Sequence, residues 1–366
     1  MGMHHTVAKR GRAARGLSAL AALGTLGAAT LLSGCYVTAQ GSRYLALRAK
    51  ARPLEKVLAD PATKPELRAL VETAARVRVF ATAELGLAET KNFRSLVVLD
   101  SDRLATVVQA CAELSFDRHL WSYPLVGKLP YKGFFDPAEA EKEAAARRAE
   151  GLDVIVRPVD AFSTLGWFSD PLFSFMAGYD EADLAELVIH ELCHATAFAK
   201  GAEDWNEELA TFVGREGAAR YLAAREGPDS PSLAAARLSR REAEAFAAWL
   251  RGTAAALEPV YAAADPPERK RERKAAVIAE RAAAFEREYG NSFETERYRG
   301  FPMARLNNAY LDLYRLYEGE SGLYRDYFEK AAGGDLRRFV ADMAALAGTK
   351  EKGGPKEAMR RALAGR

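Results

Sequence analysis

The chain has 366 residues, of which 49% are hydrophobic, 28% charged and 10% aromatic. This composition excludes collagen, disorder and a polytopic membrane protein, and leaves room for a sizeable core in one or two domains. Fifty-two Lys and Arg against fifty Asp and Glu give a formal net charge of +2, too little for a strong sequence-independent attraction to phosphates, so no nucleic-acid partner is expected.

In chain order, Lys9, Arg10, Arg12 and Arg15 precede an uncharged, Ala- and Leu-rich run from Gly16 to Gly34 that closes on Leu32-Ser33-Gly34-Cys35. A basic head, an apolar middle and small residues at the end have the layout of a signal peptide. The closing tetrapeptide resembles the bacterial lipobox. That resemblance implies a lipoprotein signal peptide over residues 1–34, cleaved so that Cys35 leads the mature chain and carries its acyl chains, palmitate among them. Two or three such chains suffice for stable anchoring, since each buried methylene contributes about 0.8 kcal/mol. Residue 36 is Tyr rather than Asp, which by analogy with Gram-negative sorting implies the outer membrane, with the body facing the periplasm. The alternative is a retained spanning helix, for which Gly16–Leu32 lies at the lower edge of the required length. Without its four basic residues the leader leaves forty-eight cations against fifty anions, a net charge of −2. Besides Cys35 only Cys111 and Cys193 remain, expected as reduced, buried thiols.

Ser42 to about Leu87 predicts two helices with Pro61 and Pro65 at the turn between them. Arg94–Leu99, Leu104–Ala110 and Leu120–Tyr131 are rich in Val, Leu and aromatics and predict short strands. Asp136-Pro137 opens a charged helix to about Glu150, which Gly151 ends, and a strand follows at Val154–Val159. Residues 161–168 suit either an edge strand that pairs with an extended peptide or a core strand burying Trp167. After Asp180 only Ala-rich helices are expected, to about Tyr289 and again over Asn307–Leu346, with Glu268–Lys274 a solvated helix opening. The polar stretch Gly348–Arg366 is expected to be mobile. The predicted architecture is α+β and mostly α-helical, with a small mixed sheet and long C-terminal helices. Residues 35–180 form the helical and strand part of one domain, 181–347 its helical metal-site part, and 348–366 a polar tail.

His119, His190 and His194 are the histidines that follow the leader, and two of them fall in His190-Glu191-Leu192-Cys193-His194. This is HExxH. On a helix an i, i+4 pair projects from one face, so both imidazoles can meet one Zn²⁺ while Glu191 stands beside them as general base. Asp183 can cap that helix, Leu184, Leu187, Val188, Ala195 and Phe198 supply an apolar stripe, and Gly201 can stop it. A catalytic zinc needs a third protein ligand and an open position for water. The metzincin pattern is absent, because Ala197 and Lys200 stand where it requires Gly and His. Downstream, Asn206-Glu207-Glu208-Leu209-Ala210 resembles the NExxA helix of gluzincins, which makes Glu207, thirteen residues past His194, the third ligand and Glu208 the next candidate. Asp204 and Glu207 also form a D-x-x-E capping box, a purely structural alternative. An oxyanion donor is sought among tyrosines, since Tyr310, Tyr314 and Tyr317 recur on one stretch, although core packing also explains such a stripe.

Several segments together resemble the bacterial putative aminopeptidase family of exported lipoprotein zinc peptidases. They are Tyr131-Lys132-Gly133-Phe134-Phe135, Ser163-Thr164-Leu165-Gly166-Trp167-Phe168 with Asp170-Pro171-Leu172, the HExxH helix, Asn206-Glu207 with Ala210-Thr211-Phe212-Val213, and Leu306-Asn307-Asn308-Ala309. The resemblance spans about residues 40 to 345. It implies a zincin-like metallopeptidase of gluzincin type with one zinc per chain held by His190, His194 and Glu207, Glu191 as base, Tyr317 as an oxyanion candidate, and a peptide substrate. The aminopeptidase activity is implied by the resemblance alone, because the GxMEN segment of the best-known gluzincin aminopeptidases is missing. A zinc endopeptidase of the envelope and a non-catalytic, zinc-braced lipoprotein that binds a partner are the competing functions. Glu191 argues against the latter, since a structural site has no use for a base beside the metal.

Overall fold

A computed structural model describes residue 36 and residues 40–123, 127–159, 169–315 and 321–365. Cys35, residues 161–168 and Tyr317, singled out above, lie outside them. Within the described residues the chain is α+β and mostly helical. Helix α1 covers residues 40–49, followed by strand β1 (Arg52–Pro53), α2 (Leu54–Ala59) and α3 (Pro65–Ala83). Two helices were expected here; the first is interrupted because Arg52 and Pro53 pair with β2 (Ser95–Val97).

The other strands are β3 (Ala105–Ala112), β4 (Trp121–Tyr123), β5 (Gly127–Leu129), β6 (Lys132–Phe134), β7 (Leu152–Val159) and β8 (Leu172–Phe173). They do not make one mixed sheet. β1–β2–β8 is mixed, with β2 and β8 parallel; β6–β3–β7 is antiparallel, with Val107 opposite both Gly133 and Arg157; β4 and β5 form a hairpin. Helix α4 (Pro137–Ala149) covers the antiparallel sheet and buries Ala140 and Ala144 against Val108 and Val154. As the Asp-Pro and Gly signals predict, the Asp136 carboxylate caps it by accepting from Ala138 N at 2.9 Å, and Gly151 follows with φ near 80°.

The main core joins α3 to α5 (Glu181–Thr196), α6 (Glu203–Glu226) and α11 (Leu336–Ala347). Leu184, Ala185, Val188, Ile189 and Leu192 on α5 meet Leu209 and Val213 on α6 and Phe339 and Met343 on α11, the one-sided stripe that packs an amphipathic helix. Asp180, rather than Asp183, caps α5, accepting from Asp183 N at 2.8 Å. The helix ends at Thr196, before Gly201, and leaves Phe198 half exposed. Helices α5 and α6 come unusually close. A Cβ on Gly214 would lie 3.0 Å from the Glu186 carbonyl oxygen, and one on Gly217 would lie 2.9 Å from Ile189 Cγ2. Glycine inside a helix costs about 1 kcal/mol relative to Ala; here it admits the neighbouring backbone.

Helices α7 (Pro231–Ala262) and α8 (Pro267–Ser292) form a hairpin with its own core of Phe246, Leu250, Leu257, Ile278, Phe285 and Tyr289. Helix α9 (Asn308–Arg315) ties that hairpin to the antiparallel sheet. Asn308 N donates to the Asp153 carboxylate at 2.7 Å, its side-chain amide donates to the carbonyls of Ala112, Glu113 and Ser115, and Lys274 Nζ bridges Asp153 and the Glu113 carbonyl. The Leu-Asn-Asn-Ala segment is thus a structural fastening. Tyr310 and Tyr314 pack in the hairpin core, and the chain ends in α10 (Ser321–Asp326), α11 and α12 (Gly354–Ala364).

The expectation of a mobile polar tail is overturned by α12. Pro355, Ala358, Met359, Ala362 and Leu363 recur at helical spacing and Met359 is fully buried in the main core, a pattern hidden by the polar average of the segment.

Candidate metal centre

The apolar stripe of α5 turns His190 and His194 away from the deepest core, each side chain retaining 21% exposure. Their Nε2 atoms lie 3.1 Å apart. Thr196 closes the helix: its hydroxyl donates to Leu192 O at 2.7 Å and accepts from Ala88 N at 2.9 Å. The chain then reverses through Gly201, whose φ of 79° favours glycine.

Asn206, 2% exposed, holds that reversal. Its Oδ1 accepts from Ala199 N at 2.8 Å and its Nδ2 donates to Ala199 O at 2.9 Å. With both backbone groups of Ala199 clamped, and Gly214 and Gly217 letting α6 lie against α5, Glu207 comes over the histidine pair. Its oxygens stand 3.6 Å from His190 Nε2 and 3.4 Å from His194 Nε2. Among the described residues, His190, His194 and Glu207 form a group able to hold a metal ion, their donor atoms all within 4.8 Å of one another.

The two imidazole nitrogens are 3.1 Å apart, and the Glu207 carboxylate faces both, one oxygen 3.4 Å from His194 and the other 3.6 Å from His190. A zinc ion with bonds of about 2.0–2.2 Å at tetrahedral angles holds donors about 3.3 Å apart, so small side-chain shifts would be needed to bring one carboxylate oxygen into register with both nitrogens. Two imidazoles and a carboxylate also leave a fourth position free for water. Glu208 faces elsewhere: Lys356 of α12 donates to it at 3.0 Å.

The electrostatics follow from burial and from this crowding. Burial opposes charge on His190, but the hydrogen bond to Glu207 and the charges of Glu191, Glu207 and Glu186 outweigh it and raise its pKa. Burial and the neighbouring His190 lower His194 to about 4. The approach of His190 and then of His194 holds the half-exposed Glu207 carboxylate below its ordinary value. Burial pushes Glu191 up to about 7, with the charges of Asp170 and Glu207 adding to the rise. Opposed shifts of this kind among neighbouring groups mark functional sites.

Over residues 35–358 the chain matches the family described as Putative aminopeptidase. The chain belongs to that family. No curated protein and no solved structure matches it.

Within this family member the structure brings together His190, Glu191, His194 and Glu207, separates Glu208 from them, and puts Tyr310 and Tyr314 in a different core. Three residues near the centre had been given no role from sequence. Asn206 was only part of a motif; Asp170 sends its charge onto Glu191; and Tyr131 has a phenol whose pKa is raised by burial and by Glu207. Asp170 and Tyr131 lie in segments that carry the family resemblance, but motif membership does not reveal proximity. Asn206→Ala removes both clamps on Ala199 and is expected to loosen the position of Glu207 and so to weaken the binding of added zinc. Competition with a chromogenic chelator measures it, and unchanged affinity would show that Asn206 does not position Glu207.

Proposed function

We propose that the chain is a membrane-anchored, zinc-dependent aminopeptidase with a zincin-like centre of gluzincin type, attached by acylated Cys35 to the cell envelope. The observation that supports this reading is that His190, His194 and Glu207 bring their donor atoms within 4.8 Å of one another, with a second carboxylate, Glu191, next to His190 on the same helix. When bound, zinc supplies the Lewis acidity that makes a water nucleophilic near neutral pH. Glu191 takes a proton from the attacking water and delivers it to the leaving amine. Burial raises its pKa, which favours a group able to hold as well as accept a proton. Tyr317, by the family resemblance, and Tyr131, by its nearness to Glu207, are the candidates to donate a hydrogen bond to the developing oxyanion.

Exopeptidase action needs an anion for the free amine of the substrate, since a charge-assisted hydrogen bond is the strong way to hold an ammonium. Asp170 suits this role. Its charge reaches Glu191, the Tyr44 hydroxyl donates to it at 3.4 Å, and Asn92 and Phe93 fix its backbone. No described helix is long and apolar enough to cross a membrane.

The test combines zinc content by plasma emission with hydrolysis of leucine and alanine anilides against an amino-blocked internal peptide. The expected result is one zinc per chain, lost in His190→Ala, and faster cleavage of the free-amine substrates, a preference that Asp170→Asn reduces through KM. A folded, metal-free wild type would overturn the reading. Faster cleavage of the blocked peptide would make the protein an endopeptidase.

A further inference from the structure

The residue that follows the lipid-bearing Cys35 is docked on the body. The Tyr36 hydroxyl donates to the Gly133 carbonyl of β6. Its ring lies 5.6 Å from Phe134 and 5.8 Å from Tyr123 of β4, and Lys132 Nζ stands 4.9 Å from its centroid. Lys132 is in turn held by Glu143 of α4 at 2.9 Å. The next turns of chain are fastened to the same unit. Gln40 Oε1 accepts from Phe135 N, and Arg43 makes a two-pronged contact with Glu139 at 2.8 and 3.0 Å.

We propose that the body is pressed against the bilayer rather than suspended from it: the surface around Tyr36, built from β4, β5 and β6, rests on the lipid headgroups. The inference rests on acylation of Cys35, proposed above. Consecutive Cα atoms are about 3.8 Å apart, so a lipid on Cys35 begins one residue from a ring that is already packed. No slack remains to lift the body away. The side chains around this point suit a headgroup layer, where rings with one apolar and one polar end are favoured. Leu120, beside β4, is 47% exposed, and Lys128 on β5 is also exposed.

The test uses the full chain, processed by its host, in vesicles of phosphatidylethanolamine and phosphatidylglycerol that contain an acceptor-labelled lipid. A donor dye is placed on Lys128→Cys; Cys111 and Cys193 are buried and do not compete for it. The comparison protein carries a flexible Gly-Ser insert of about twelve residues between Cys35 and Tyr36, long enough to span roughly 20 Å. Both are purified by flotation. Strong energy transfer at the native spacing, falling at least about two-fold with the insert, is the expected result. Equal transfer in the two proteins, or weak transfer in both, overturns the docked orientation while leaving the anchor intact. Failure of the native protein to float with the vesicles overturns the acylation of Cys35, and the orientation with it.

Discussion

Glu191→Gln is expected to keep its zinc, lose about 10²- to 10⁴-fold in kcat, and become more stable than wild type once the metal is removed. The activity loss is the usual contribution of a positioned general base. The stability gain follows from its surroundings. A carboxyl whose pKa rises from 4.5 when unfolded to about 7 when folded binds its proton more tightly in the native state. Its contribution is fully present below about 4.5 and is lost as the pH rises through about 7. At pH 8 the ionised group opposes folding by about 3 kcal/mol; the amide, unable to ionise, escapes that cost. His190, His194 and Glu207 titrate in both proteins, and the difference between wild type and variant reports Glu191 together with its effect on the protonation of His190. Urea unfolding of the chelated proteins should show near-equal stability at about pH 4 and a gap of about 3 kcal/mol at pH 8. A gap that does not change with pH would show that Glu191 is not held protonated, and retained hydrolysis would remove it from the mechanism.

Glu207→Ala and Glu208→Ala should have opposite consequences. Loss of Glu207 takes away a donor 3.4–3.6 Å from both imidazoles, so zinc affinity should fall by more than the 10- to 100-fold that an outer-shell partner is worth, and hydrolysis with it. Glu208→Ala should keep one zinc per chain. It instead leaves Lys356 without its carboxylate, which loosens α12 and costs on the order of 1–2 kcal/mol, between the values of exposed and buried pairs. Zinc titration and thermal unfolding of the two variants measure both effects. Zinc loss confined to Glu208→Ala would make it the ligand and the observed orientation wrong.

The parts of the molecule that were legible in sequence are those governed by short-range rules. The charged helix after Asp136 begins and ends where its Asp-Pro and Gly residues predict, because capping and backbone conformation are decided within a few residues. The absence of strands after Asp180 holds among the described residues. Two imidazoles four residues apart on a helix share a face whatever surrounds them. The misjudged elements depended on partners far along the chain. Pro53 joins a strand because Ser95 is opposite it; the three sheets are separated by how β3 chooses β6 and β7; and α12 is ordered because the main core offers Met359 a site.

By itself, then, the sequence determined a mostly helical α+β chain, an HExxH helix and membership in a family, since periodicity and motif spacing are local properties. Only the tertiary structure put Glu207, and not Glu208, beside the two histidines. Both occupy the same turn of α6, and the choice rests on the Asn206 clamp at Ala199, the close approach at Gly214 and Gly217, and Lys356 arriving from a helix 148 residues downstream. It also set the electrostatics, because burial and the approach of Asp170 and Glu207 to Glu191 exist only when distant segments pack against α5.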